Sequence, residues 1–390
     1  MYPTYSPEPV KLRPRPEANT KVVNFEWLKD LLLSKDLSRN AELNWVNPSD
    51  SLRFLDGASM LGNYVAFQSM PRSGNSFLRR IIEIVTGVYS GSDMNYLVTI
   101  MMMGSNMSGE DTVPQDNLCW ITKTHWPMNS PMGATKFPAQ KCFSIVRNPI
   151  DMIASFCLLM NTASHSATTT VPINEVDPEY WDKFAPVIWD ALNKSQIAMA
   201  DLCEPAIPTY YIRYEDLVLN PKPVLMELFA FLLDVDNVVG TVVEQRIDDY
   251  CDKGNKGASV YKLKADPRKN LCRNRGMYTE DQLERLKEQC REYLYYFNYV
   301  DCGEAGESDP NTAFMTYDGE TKHDPELLSK LYNGYKKANV NALASVSRKE
   351  TTETEPMKSF TFNESFPADP DIGKVGVICH KLTIKEPANK

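Results

Sequence analysis

The sequence predicts an α/β protein with a central, mostly parallel sheet flanked by helices, in the manner of a P-loop-like fold. Two observations carry this. From about residue 24 to 302, short apolar runs alternate with amphipathic stretches, the order expected where strands and crossover helices take turns. The chain also has 390 residues, 43% of them hydrophobic and 24% charged, which suits one sizeable soluble core with peripheral segments.

The elements follow in order. Residues 1–22 are polar and proline-rich and read as an extended arm. Strands are expected at Tyr64 to Gln68, Leu118 to Thr122, Cys142 to Val146 and Thr209 to Arg213. Helices are expected at Asn75 to Thr86, Pro149 to Met160 and Pro221 to Leu233, the last with a proline suited to its first turn. A long helix over about Glu179 to Leu202 carries Trp181, Phe184, Ile188 and Leu192 at helical spacing, and Trp181 and Trp189 read as core. Another helix runs from Thr279 to Phe297, with Thr279 as N-cap and Gln282 completing a capping box. The α/β domain is placed at 23–302. Beyond it, 303–390 is a polar extension with one helix over about 324–338 and a possible strand in VGVICHKLTI.

The charge balance, 42 basic against 51 acidic residues, gives a net charge of −9 and a pI near 5.2. This removes the bulk attraction used in general nucleic-acid binding but leaves room for a local basic site. Nine cysteines, odd in number and without a CxxC pair, argue against a disulfide framework or a structural zinc site and for reduced thiols. No apolar h-region opens the chain and no run approaches the ~20 apolar residues of a membrane span, so the expectation is a cytoplasmic protein with no membrane span.

Three segments carry chemistry. Phe67 to Arg80 reads FQSMPRSGNSFLRR. An apolar strand enters a tight turn holding Gly74, flanked by Ser73, Asn75 and Ser76, and a helix begins at once. Such a turn presents backbone N–H groups and a helix N-terminus to an anion, while the hydroxyls and Arg72 add donors. The plainer reading is a strand-to-helix turn that needs glycine. It is not a Walker A loop, whose second glycine and following lysine are absent. Ile121 to Pro127 reads ITKTHWP; His125 alone of the four histidines follows a predicted core strand directly, where α/β sheets place ligand sites. In Cys142 to Ser155, CFSIVRNPIDMIAS, a strand ends in Arg147 and Pro149 opens a helix. Helix geometry puts Asp151 and Ser155 on one face, so Arg147 and Ser155 can converge on one phosphate while Asp151 orients the arginine. An ordinary cap with an ion pair explains the same residues.

In this order and spacing, SMPRSGNSF, TKTHWP and RNPIDMIAS resemble the PAPS-dependent sulfotransferase family, and RYEDLVLNP, with Tyr214, looks like a fourth block. The resemblance spans about Asn63 to Tyr299. It implies a donor, 3'-phosphoadenosine 5'-phosphosulfate, that leaves as adenosine 3',5'-bisphosphate, and it requires no metal. The first block, Arg72, Ser73, Gly74, Asn75 and Ser76, resembles the 5'-phosphosulfate loop. Phe77 falls where an aromatic stacks on adenine, and Tyr214 is a second adenine contact. Arg147 and Ser155 resemble the 3'-phosphate site. His125 falls on the catalytic-base position, and Lys123 lies close enough to reach the sulfate. Lys256 and Gly257 are the best match to a further 3'-phosphate loop, with Arg273 or Arg275 as other contacts.

The chain departs from the family in having Arg72 where small-molecule members carry lysine and Asn75 where threonine is usual. Arginine there acts by charge and cannot act as a general acid. By family analogy the acceptor, a small molecule or protein bearing a hydroxyl or amine, sits near His125, bordered by Tyr96 to Gly104 and Met160 to Val171. A competing expectation is a sulfotransferase-fold scaffold whose residues 1–22 and 303–390 bind protein partners. A nucleotide kinase would need a Walker lysine and a Mg2+ carboxylate that the sequence does not supply.

Overall fold

Five short strands pair side by side and all run the same way: β3 (Val65–Ser69), β4 (Gly91–Ser92), β5 (Ile121–Thr124), β7 (Lys141–Val146) and β8 (Thr209–Arg213) form a parallel sheet in the order β4-β5-β3-β7-β8. The computed structural model describes residues 22–43, 53–93, 118–128, 135–162, 171–183, 185–253, 271–297, 299, 339, 342–344 and 358–363. Two smaller pairs flank the sheet: β1 (Val22–Val23) with β2 (Phe54–Leu55), parallel, and β6 (Phe137–Ala139) with β9 (Phe360–Phe362), antiparallel. Every residue of β3, β5, β7 and β8 is buried, as a parallel sheet covered on both faces requires.

Successive strand residues feed opposite cores. Val65, Phe67, Phe143, Ile145, Tyr210 and Ile212 point to one layer, built by α1 (Phe25–Leu33), α2 (Asn75–Thr86), α6 (Pro221–Leu233) and α7 (Val242–Lys253). Ala66, Cys142 and Tyr211 point to the other, with α3 (Pro149–Thr162), α4 (Ala185–Ala198), α8 (Glu280–Gln289) and α9 (Arg291–Tyr296); α5 (Tyr214–Leu219) links β8 to α6. Phe67 stacks on Phe143 across β3 and β7, with centroids 4.3 Å apart. Helix ends are closed by side chains. Buried Lys141 donates from Nζ to the last carbonyls of α6, Phe231 O and Leu232 O, and pairs with Asp234 at 2.6 Å, the favourable sign at a helix C-terminus.

Helices α2 and α6 and strand β8 have the boundaries the sequence predicts, and Thr279 and Gln282 form the expected capping box. Others differ. The strand placed at 118–122 begins only at Ile121, because Trp120 turns into the core and packs edge-on against Phe25. The helix expected over 179–202 is helical over Tyr180–Lys183 and α4, residue 184 lying outside the described residues, and it passes into a π-helical turn at Met199–Cys203. Trp181 and Trp189 are buried and meet edge-to-face at 5.6 Å.

Two pieces of the C-terminal extension lie against this domain. Asn339 accepts from Tyr211 N–H at 2.7 Å and donates to Tyr211 O at 3.0 Å, Ala342 is buried beside it, and Phe360–Phe362 pairs with β6. The arm at 1–21, the helix expected over 324–338 and VGVICHKLTI lie outside the described residues. Among the described residues no helix is long and apolar enough to cross a membrane.

Candidate functional site

The carboxyl ends of β3, β5 and β7 come together at the switch point of the sheet. The chain leaves β3 toward β4 and β5 on one side, then crosses to β7 on the other, and α/β sheets bind ligands where the winding reverses in this way. Between β3 and α2, Arg72 (φ 70°) and Gly74 (φ 100°) both take left-handed backbone. A non-glycine residue there is strained and marks functional turns. Gly74 is the N-cap of α2, and no side chain caps that end, so the first-turn N–H groups of the helix, which have no intrahelical partners, face outward as anion donors.

Gly74 is also required for space. A Cβ at this position would lie 2.5 Å from Cδ2 and 3.0 Å from Cε2 of Tyr214. Tyr214 in turn meets Phe77 edge-on at 6.2 Å and lies under the Arg147 guanidinium, 4.5 Å from its ring centroid, a cation-π contact. Gly74→Ala is expected to destabilise the fold by about 1–3 kcal/mol through the positive φ alone, with the Tyr214 clash added. In denaturant unfolding, Gly74→Ala combined with Tyr214→Ala should cost less than the sum of the two single variants; strict additivity would show that the contact does not limit the turn.

Ser155, expected beside Arg147, has its hydrogen bond with Arg72, and Arg72 meets Arg147 in turn. Arg72 Nε donates to Ser155 Oγ at 2.9 Å, and Arg147 Nη1 donates to Arg72 O at 3.0 Å. Arg147 Nη2 is 3.6 Å from Asp151 Oδ2. Burial works against the Arg147 charge, but Asp151, with Tyr214, Glu215 and Tyr299, outweighs it and holds the guanidinium pKa above its ordinary value. Arg147 Nε is buried with no hydrogen-bond partner among the described residues. A buried, charged donor left unmatched is costly unless a ligand completes it.

Lys123, on β5, is buried, and His125, the residue just past its end, is half-buried. His125 Nδ1 lies 2.6 Å from Ser69 O, with Ser69 Oγ at 3.5 Å. A carbonyl oxygen only accepts, so Nδ1 carries the proton and the ring lone pair sits on Nε2. Asn75 Nδ2 donates to Ser69 Oγ at 2.9 Å, so its amide supports the residue that holds His125. The Ser73 hydroxyl turns to Met152 Sδ at 3.6 Å, and Ser76 is half-buried in the first turn of α2. Lys256 and Gly257 lie outside the described residues, as do most of the two segments expected to border the acceptor.

The model of the family described as "Sulfotransferase domain" matches residues 64–267, just over half of the chain. The chain belongs to the sulfotransferase family. Among solved structures, mouse sulfotransferase SULT7A1 complexed with PAP is similar at 17% identity and a TM-score of 0.38, over 60% of this chain and 84% of that one. No curated protein sequence matches.

Further residues hold this sulfotransferase site together, and of these Tyr293 alone lies outside the four sequence blocks. Glu215, in the fourth block, accepts from Asn148 N–H at 2.9 Å and from Tyr299 O–H at 2.7 Å, fixing the turn after β7; burial pushes its carboxyl pKa up. Tyr293 accepts from Arg147 N–H at 3.2 Å and donates to Arg147 O at 3.1 Å. Asp151 chiefly accepts the backbone N–H groups of Cys272 and Asn274, at 2.9 and 3.2 Å, and only then touches the arginine. Ser69, the last residue of β3, opens the first motif, SMPRSGNSF.

Proposed function

We propose that this protein transfers a sulfuryl group from 3'-phosphoadenosine 5'-phosphosulfate to a hydroxyl or amine acceptor. The observation that carries the reading is the convergence of Arg72, Arg147 and Ser155 beside an uncapped helix N-terminus, with the unmatched Arg147 Nε among them. Asp151, the carboxylate that meets Arg147, is already occupied by its backbone bonds. The set suits a small polyanion with phosphates at two points.

The donor supplies an activated sulfuryl group, and the bond from sulfur to the bridging phosphate oxygen breaks as the acceptor atom bonds to sulfur. The residues of this chain do the rest. His125 receives the acceptor proton at Nε2, because Ser69 O holds the other ring nitrogen as the donor. Arg72 and the first-turn N–H groups of α2 stabilise the charge left on the phosphate oxygen, and Lys123 adds a positive charge near the sulfate. Arg147 and Ser155 hold the 3'-phosphate, while Phe77 and Tyr214 line the adenine.

Ligand-dependent unfolding tests the reading. Adenosine 3',5'-bisphosphate at a hundredfold excess over its Kd should stabilise the protein by about 2.7 kcal/mol, and ATP at the same concentration should do far less. Equal shifts, or none with the bisphosphate, would overturn the proposal.

A further inference from the structure

We infer that Phe360, Phe362 and Asn363, in the C-terminal extension, are positioning residues for His125. The inference rests on the reading of His125 as the base. These residues lie beyond residue 267, where the matched domain ends, yet they grip the corner that carries His125 from two sides.

The first grip is on the neighbouring side chain. Trp126 follows His125 and is buried. Its indole meets Phe360 at 5.3 Å and Phe362 at 5.5 Å, both edge-to-face, the arrangement ring quadrupoles favour. Phe362 is fully buried and stacks on Phe137 at 5.4 Å, its partner in the β6–β9 pair. The second grip is on the backbone. Asn363, in left-handed conformation (φ 59°), donates from Nδ2 to Asp93 Oδ2 at 2.8 Å and to Thr135 O at 3.0 Å. Asp93 is buried at the end of β4; its N–H donates to Lys123 O at 3.0 Å, and its carbonyl accepts from Thr135 N–H at 2.8 Å. Burial raises the Asp93 carboxyl pKa, and its hydrogen bonds with Thr124 and Asn363 oppose that rise.

His125 thus sits on a short stretch fixed at Lys123 through Asp93 and at Trp126 through the two phenylalanines. Its useful tautomer depends on the Nδ1 contact to Ser69 O, so a small rotation of the corner would free the proton to exchange between ring nitrogens. Displacements of this size at a reacting group cost one to two orders of magnitude in rate.

The test is made on the full-length chain with 15N-labelled histidines, of which there are four, His125 being assigned by His125→Gln. Long-range 1H–15N spectra read the tautomer without donor or acceptor. Wild type should show one Nδ1-protonated form, Phe362→Ala and Asn363→Ala a mixture, and Phe362→Leu should restore the single form. Transfer should fall ten- to a hundredfold in kcat in the two alanine variants, with KM for the donor unchanged. If both alanine variants lower thermal stability while the His125 tautomer stays single, the segment is only packing and the inference is overturned. Should Phe362→Ala not fold, Asn363→Ala decides alone. The bisphosphate experiment above tests the functional reading separately, so a coupled tautomer without bisphosphate binding would overturn that reading and leave the positioning role standing.

Discussion

His125→Ala should bind adenosine 3',5'-bisphosphate as wild type does and lose transfer by a factor of about 10² to 10⁴, the usual worth of a positioned general base. Separation of the two effects is the point of the experiment. His125 follows the end of β5 and meets Ser69, while Arg72, Arg147 and Ser155 hold one another. Removing the ring therefore leaves the anion donors in place. Single-turnover sulfate transfer together with a bisphosphate titration checks it. Retained turnover would mean that another group takes the acceptor proton, with Lys123 the nearest candidate along the strand. Loss of both functions would mean that the histidine holds the donor loop through Ser69 and Asn75.

Arg147→Ala should do the reverse, abolishing the selective stabilisation by the bisphosphate while the protein still folds. The guanidinium is almost wholly enclosed, and it contributes a hydrogen bond to Arg72 O, a contact with Asp151 and a face on Tyr214. Cutting it away would ordinarily strand a buried partner carboxylate at several kcal/mol. Asp151 has other donors in Cys272 and Asn274, so the cost should stay at about 1–3 kcal/mol. The ligand shift of about 2.7 kcal/mol at a hundredfold excess should vanish. Arg147→Lys should recover part of it, since an ammonium keeps the charge but not the fork of donors. A full ligand shift in Arg147→Ala would remove this residue from the site.

Much of the fold was legible because punctuation coincided with periodicity. Gly74 before an amphipathic run set α2, and Pro221 set α6, to the residue. The break at Cys290 in the helix expected over 279–297 was not legible: no glycine or proline marks it, and α8 stops where Cys290 is packed fully inside. Helices α1 and α7 escaped a reading that began from strands, although Asn24 accepts from Trp27 N–H as an N-cap should. In the site, Arg147 and Ser155 are legible as neighbours, because Arg147 directly follows β7 and Ser155 lies eight residues on, in the helix that comes next; that Ser155 bonds Arg72 is not. Nor are the roles of Glu215, Tyr293 and Asn363, since they depend on partners brought together across 67, 146 and 270 residues of chain. Local pattern carries no record of such pairings.

Asn339 has a role beyond packing. Strand β8 ends the sheet, and an end strand offers a row of unsatisfied donors and acceptors on which a second chain can build. By bonding to both the N–H and the carbonyl of Tyr211, one side chain imitates a neighbouring strand and occupies the middle of that row. The side chain is therefore a stop signal against growth of the sheet into a larger assembly. Loss of the Asn339 carboxamide should show first as concentration-dependent self-association, before any loss of chemistry.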